Sequence, residues 1–223
     1  PQVGARLGAA LAVGNVNSDE FEDLIVGVPG EDIGGKAGAG QVHVFLGGSA
    51  GLVASASITL HQDTLGVRGE AGAGDAFGSS LAVGDLNADG YGDLVVGVPG
   101  DTVGAAAGAG LVNVLFGSAT GVDIVGDRLL SQATRRVKGR AETGDHLGAS
   151  VTTIDINGDG FRDLVIGVPE EDIRAAKNAG HILLVPGRAG GVRLGGSSGM
   201  SQKKPAAGAN ERGDRFGYAL AAS

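Results

Sequence analysis

The sequence predicts an all-β fold made of β-propeller blades, and three observations predict it. Short apolar runs dominate over helical periodicity: Leu81-Ala-Val83, Leu94-Val95-Val96, and the alternating Val112, Val114 and Phe116. Such runs, bounded by turn residues, are strand signals. The chain also repeats itself. Asp23, Asp93 and Asp163 are 70 residues apart, as are Gly27-Val28-Pro29, Gly97-Val98-Pro99 and Gly167-Val168-Pro169, and the pairs Ala39-Gly40, Ala109-Gly110 and Ala179-Gly180. Finally, 44 of the 223 residues are glycine without the period of three that marks collagen. That composition suits short strands joined by tight turns.

Each unit offers four strands. The first carries small residues (Gly78, Ser79, Ser80, Ala82) that suit the crowded axis of a propeller. The second follows an acidic loop, and the third is the alternating run. The fourth is weaker: Ile58-Thr-Leu60 in unit one and Arg128-Leu-Leu130 in unit two, set off by turns such as Gly117–Gly121. A four-stranded unit repeated with a glycine-rich signature reads as a blade. The Ala-rich piece from Gly104 to Gly110 is too short and too glycine-rich for a stable helix.

The repeats fall at about residues 4–73, 74–143 and 144–212. Residues 213–223 begin another, with Arg215-Phe216-Gly217-Tyr218-Ala219-Leu220 as its first strand. The opening glycine runs 8, 78, 148 and 217, so the third unit is one residue shorter. Propellers close with roughly 4–8 blades. Three complete blades are a partial propeller, and self-association is one route to a closed ring. The competing architectures are an open β-solenoid and three hairpin modules in a row.

The chain has no cysteine or tryptophan, which excludes a disulfide scaffold and thiol chemistry. No apolar run approaches the length of a membrane span. The sequence opens at Pro1 without Met or a signal peptide, as expected of a mature, trimmed or excised chain. Its net charge is -8, from 25 acidic and 17 basic residues. Eight of the acids sit at the candidate ligand positions of the three loops: Asp19, Asp23, Asp85, Asp89, Asp93, Asp155, Asp159 and Asp163. Without them 17 acids face 17 bases. Nucleic-acid binding calls for the opposite bias.

The second loop places Asp85, Asn87, Asp89, Gly90, Tyr91 and Asp93 at positions 1, 3, 5, 6, 7 and 9. The third places Asp155, Asn157, Asp159, Gly160, Phe161 and Asp163 there. Alternate side chains at 1, 3 and 5 can converge as the backbone curls. Glycine at 6 permits a sharp turn, position 7 offers a carbonyl and the Asp at 9 closes the shell. Oxygen donors in that number suit Ca²⁺. An EF-hand is excluded, because its Glu at position 12 would fall on Val96 or Ile166. A glycosidase carboxylate pair would not recur three times. The first loop (Asn15, Asn17, Asp19, Glu20, Phe21, Asp23) lacks the acid at 1 and the glycine at 6. Weaker or absent binding is expected there, with strain at Glu20 if position 6 takes positive φ.

These residues resemble the FG-GAP repeat of integrin α-subunit β-propellers and bacterial integrin-like proteins. Phe77-Gly78 and Phe216-Gly217 match its FG element, with Leu7-Gly8 and Leu147-Gly148 as variants. The three Gly-Val-Pro segments match its GAP element, and the Asp-x-Asn-x-Asp-Gly-x-x-Asp run matches its calcium loop. The resemblance implies Ca²⁺ between the first and second strands, and a protein or carbohydrate partner on the opposite face. It implies an extracellular or cell-surface setting. Similar repeats also accompany catalytic domains of secreted lipases and phospholipases.

Other motifs carry less. Arg212-Gly213-Asp214 spells an adhesion tripeptide, but Gly74-Asp75 and Gly144-Asp145 recur in the same phase, so a turn role is expected. Gly47-x-Ser49-x-Gly51 and Gly195-x-Ser197-x-Gly199 match the serine-hydrolase pattern without the helix a nucleophile elbow needs. His43, His61, His146 and His181 occupy different phases of the repeat. Arg135, Arg136, Lys138 and Arg140 form a basic run in a connection. Glu31, Asp101 and Glu171 recur 70 apart and are expected as an acidic arc opposite the loops. No catalytic constellation emerges. The expected function is a non-enzymatic, calcium-binding, adhesion-like interaction module. The alternative is the accessory region of a secreted hydrolase of lipase or phospholipase type.

Overall fold

The structure is a computed structural model that describes residues 2–53, 57–202 and 209–221. Blade one is the antiparallel meander β1 (Ala10–Gly14), β2 (Asp23–Val28), β3 (Gln41–Phe45) and β4 (Ile58–Leu60). Blade two repeats it as β5 (Ser80–Gly84), β6 (Asp93–Val98), β7 (Leu111–Ser118) and β8 (Gly121–Leu130). Blade three has β9 (Ser150–Ile154), β10 (Asp163–Val168) and β11 (His181–Val185). A small hairpin of β12 (Gly187–Arg188) and β13 (Gly191–Val192) and a 3-10 turn at Leu194–Gly196 then lead to β14 (Ser198–Met200). Strand β14 pairs with β11 and fills the fourth place.

Register repeats with the sequence. Ala10 faces Gly27, Ser80 faces Gly97 and Ser150 faces Gly167. Strands β6 and β10 are buried at every position. Their runs Leu-Val-Val and Leu-Val-Ile are apolar on both faces because a neighbouring blade can cover each side. Two apolar cores result. One, around Ile25, Val44, Phe77, Val96 and Leu115, sits between blades one and two. The other, around Leu86, Val112, Leu147, Ile166 and Leu183, sits between blades two and three.

The repeated glycines are explained by these interfaces. A methyl on Gly97 would lie 2.1 Å from the Gly148 carbonyl oxygen of the next blade, and Gly27 meets the Gly78 carbonyl at the same distance. The Ala-Gly pairs form the seat for the following blade. The Phe77 N–H donates to the Ala39 carbonyl at 2.9 Å, and Leu147 does the same to Ala109 at 2.9 Å. Both Phe77 and Leu147 are fully buried, whereas Leu7 is 72% exposed.

The tail departs from expectation. Phe216 docks on blade three as Phe77 docks on blade one, donating to the Ala179 carbonyl at 2.9 Å. Residues 213–221, however, form no strand; they make a single parallel bridge from Phe216 to Gly180. In each complete blade the first strand is held by its own second strand, and residues 213–221 supply none. Strand β8 is also longer than expected and joins β7 across Ala119-Thr120, with a bulge between Val114 and Phe116.

Candidate metal centre

The three acidic loops connect β1 to β2, β5 to β6 and β9 to β10, so all three sit at one end of the blades. They are stitched to one another. The Gly92 N–H donates to the Asn15 carbonyl at 2.9 Å, and the Arg162 N–H donates to the Asp85 carbonyl at 3.0 Å. Position 8 of each later loop thus grips position 1 of the loop before it.

The Asp at position 9 forms the inner half of every loop. The Asp93 carboxylate is fully buried and accepts the Leu86 N–H at 2.9 Å and the Gly117 N–H at 3.1 Å. Asp23 accepts from Val16 and Gly47, both at 2.8 Å. Asp163 accepts from Ile156 at 3.2 Å and Gly187 at 3.0 Å. Each carboxylate therefore ties its loop to the end of the third strand (Gly117) or to the residues just after it (Gly47, Gly187). Burial pushes Asp93 up to about 7, against the lowering effect of its two amide bonds; Asp89 and Asp85 raise it further.

The outer half differs between loops. In loop two, Asp85 accepts the Asp89 and Gly90 amides at 3.2 and 2.9 Å, Asn87 accepts the Asp89 amide at 2.9 Å, and Asp89 accepts the Tyr91 amide at 3.0 Å. Loop three follows suit. Asp155 accepts from Gly158 and Gly160 at 2.7 and 3.0 Å, Asn157 from Asp159 at 2.8 Å, and Asp159 from Phe161 at 3.0 Å. The Gly160 amide above all, with the Gly158 amide, holds Asp155 below its ordinary range, so it is charged at neutral pH.

Loop one is wired otherwise. Asn15 accepts the Asp19 amide at 3.2 Å and turns its own amide onto the Asp19 carbonyl. Asn17 and Asp19 keep their places, with Asp19 accepting the Phe21 amide at 2.7 Å. The strain expected at Glu20 does not arise. Position 6 has positive φ in loops two and three (Gly90 at 91°, Gly160 at 86°), but in loop one only Ser18, at position 4, has it (56°). Position 4 is left-handed in all three, at Ala88 (56°) and Gly158 (75°) as well, a turn that Ser and Ala at this position do not signal.

Among the described residues no three His, Cys, Asp or Glu side chains form a ready-made metal cluster. The donors of loops two and three are nonetheless all oxygen, and two carboxylates of each lie on its outer side. Such hard donors fit Ca²⁺ and not a soft metal. Asp85, Asn87, Asp89, the Tyr91 carbonyl and Asp93 would hold the ion in loop two. Asp155, Asn157, Asp159, the Phe161 carbonyl and Asp163 would do so in loop three.

At the opposite end the acidic arc takes another form. Asp101 is 8% exposed and accepts the Gln62 side-chain amide at 2.6 Å. Glu171 accepts that of Gln132, also at 2.6 Å. These are links between the outer connection of one blade and the next blade, not free charges. Burial pushes Asp101 up to about 6 and raises Glu171. Glu31 has no such glutamine among the described residues. A groove of about 760 Å³ opens beside Asp75 and Asp101.

The remaining motifs are structural. Asp145 and Asp214 accept the amides of Glu142 and Glu211 at 2.6 Å, and Asp75 likewise accepts that of Gly72, so the Gly-Asp of the adhesion tripeptide is a turn. Ser197 is buried and donates to the Arg136 carbonyl at 2.8 Å, with a short strand and not a helix beyond it. The histidines stay apart; His146 pairs with Glu170 at 3.2 Å.

Fold and loops together define a partial β-propeller of repeated blades, each entered through an acidic loop. The family model of the FG-GAP repeat matches residues 7–45, 77–115 and 147–185, just over half of the chain, and the chain belongs to that family. Each match runs from the docking Phe or Leu to the third strand and leaves out the fourth, where the blades differ most. The chain is 36% identical over 165 residues to rat (Rattus norvegicus) phosphatidylinositol-glycan-specific phospholipase D, covering 74% of this chain and 19% of that protein. It is 34% identical over 171 residues to integrin alpha-PS5 of Drosophila melanogaster, covering 75% and 15%. Against mouse (Mus musculus) integrin alpha-3 it is 30% identical over 173 residues, covering 74% and 14%. The chain thus spans less than a fifth of the length of these relatives.

Proposed function

We propose that this chain is a non-catalytic, calcium-stabilised propeller module that binds a protein or carbohydrate partner at the cell surface or in the extracellular medium. The observation that carries the reading is the outer half of loops two and three. There, two carboxylates and an amide oxygen are gathered by backbone amides with no basic residue paired to them among the described residues. Bound Ca²⁺ would offset their repulsion and hold each hairpin, adding stability by mass action. The integrin relatives are in keeping with an adhesion-like role. The groove near Asp75 and Asp101, on the end away from the loops, is the partner surface in this reading. Among the described residues no helix is long and apolar enough to cross a membrane.

A thermal melt with and without EGTA tests the calcium claim. Two filled sites at a hundredfold excess over Kd add about 5 kcal/mol, a rise in Tm of roughly 10 °C for a chain of this size. An unchanged Tm overturns the reading.

The phospholipase D relatives favour a second reading, in which the blades are the accessory region of a secreted hydrolase. A catalytic domain encoded in the same reading frame would support it, and a surface anchor would support the first. Self-association belongs to the proposal as well. Leu11 and Val13 of β1 are 62% and 63% exposed, while their counterparts Leu81 and Val83 pack against blade one. A second copy docking head to tail would cover them, and the mass in solution tests this.

A further inference from the structure

On the outer rim between blades two and three lies a groove of about 580 Å³ with five arginines along it. Arg128 comes from β8, Arg135 and Arg136 from the connection after it, and Arg188 and Arg193 from either side of the β12–β13 hairpin. All five are exposed, and among the described residues none lies within ion-pair distance of a carboxylate. In a chain of net charge -8 with only 17 basic residues, that convergence stands out. Segments as far apart as residues 128 and 193 bring like charges together, and no carboxylate among the described residues pairs with them.

The groove is built as well as charged. The Arg128 guanidinium lies 5.6 Å from the centre of the Phe116 ring, a cation–π distance that fixes its position. The Arg136 carbonyl is tied to Ser197 at 2.8 Å, which anchors the connection to the 3-10 turn. Leu129, Leu130, Val192 and Leu194 form an apolar floor.

We propose that this groove binds an oligosaccharide carrying several sulfate or phosphate groups. Guanidinium forks match tetrahedral oxyanions in paired hydrogen bonds, which a lysine ammonium does not. The apolar floor suits the carbon faces of sugar rings, and the volume falls within the range of small-ligand sites, roughly 300–1,000 Å³. Single-stranded nucleic acid is a poorer fit, because among the described residues no aromatic ring lines the groove itself and the Phe116 ring beside it already carries Arg128. The surface is concave, which suits an oligomer better than a membrane plane. The site is separate from the acidic loops and does not depend on the calcium reading.

The test is titration calorimetry in physiological salt with a heparin-derived hexasaccharide, its desulfated form, a phosphomonoester-bearing oligosaccharide of equal length and a single-stranded DNA of matched charge. The sulfated or the phosphorylated sugar is expected to bind, the tighter of the two identifying the natural source. The desulfated sugar and the DNA are expected to bind at least about tenfold more weakly. The variant R135Q/R188Q/R193Q should lose at least about tenfold in affinity. The charge-matched control R6Q/R140Q/R212Q should stay within about twofold, because its arginines lie outside the groove. If the groove variant misfolds, phenylglyoxal labelling of the wild type keeps the proposal testable: bound hexasaccharide should shield Arg135, Arg188 and Arg193. Absence of sugar binding, equal binding of DNA, unchanged affinity in the groove variant, or no shielding overturns it.

Discussion

Loops one and two share their inner half and differ in their outer half. Asp23 and Asp93 make equivalent bonds, to the amide one residue after position 1 and to an amide 24 residues further along, at or just past the end of the third strand. At position 1, Asp85 receives the Gly90 amide, whereas Asn15 folds back on Asp19 and Glu20 takes no left-handed turn. The difference separates two jobs within one motif. The Asp at position 9 is part of the blade's architecture and persists in a degenerate loop. Positions 1 and 6 differ between the two loops while the blade stays the same, and in the proposed calcium role they would serve the ion.

The largest effect should come from the shared half. Replacing Asp23, Asp93 or Asp163 by Ala strands two backbone amides each, a loss of about 3 kcal/mol. Because the bonds are common, the loss in EGTA should be alike in all three, read by urea denaturation. A much smaller loss for D23A would mean that loop one is not held as loop two is.

The outer halves should part company with calcium present. D85N and D155N should each abolish one site and its share of the thermal shift while costing less than about 1 kcal/mol in EGTA. The reverse experiment is N15D/E20G. It restores the acid and the glycine to loop one and should raise the calcium stoichiometry by one, at a stability cost of up to about 1 kcal/mol for the added glycine.

A smaller effect concerns a clamp outside the loops. Asp145 binds the Glu142 amide as Asp93 binds Leu86, and burial pushes it up to about 7 from an ordinary 3.8. The folded state then holds a proton that the unfolded state has released, so this group's contribution declines as pH rises from about 4 to about 7. D145N keeps an acceptor for the amide and removes that dependence. Its Tm advantage over wild type in EGTA should grow across that window and level off above it, reaching a few degrees.

Much of this was legible in the sequence. The 70-residue period, the hydrophobic runs and the loop spacing follow from covalent order, and the blades keep them. What escaped notice depends on contacts between blades. The Ala39-Gly40 pair reads as a turn until the Phe77 backbone is found seated on it. Asp101 and Glu171 read as surface charges, because Gln62 and Gln132 lie 39 residues before them and carry no period-2 or helical signal. Strand β14 is Ser-Gly-Met, with no strand propensity; the position beside β11 makes it a strand. The tail reads as a strand because its residues match a first strand, but a strand needs a partner to pair with. Glu20 reads as strained only if the loop keeps its shape, and the loop changes shape instead.

The number of calcium ions bound separates loop one from its two neighbours. Titration calorimetry of the wild type, with D85N/D155N alongside, should find two sites in the first and none of comparable affinity in the second. Three equivalent sites, or undiminished binding in the double variant, would contradict the division of labour drawn here between loop one and its two neighbours.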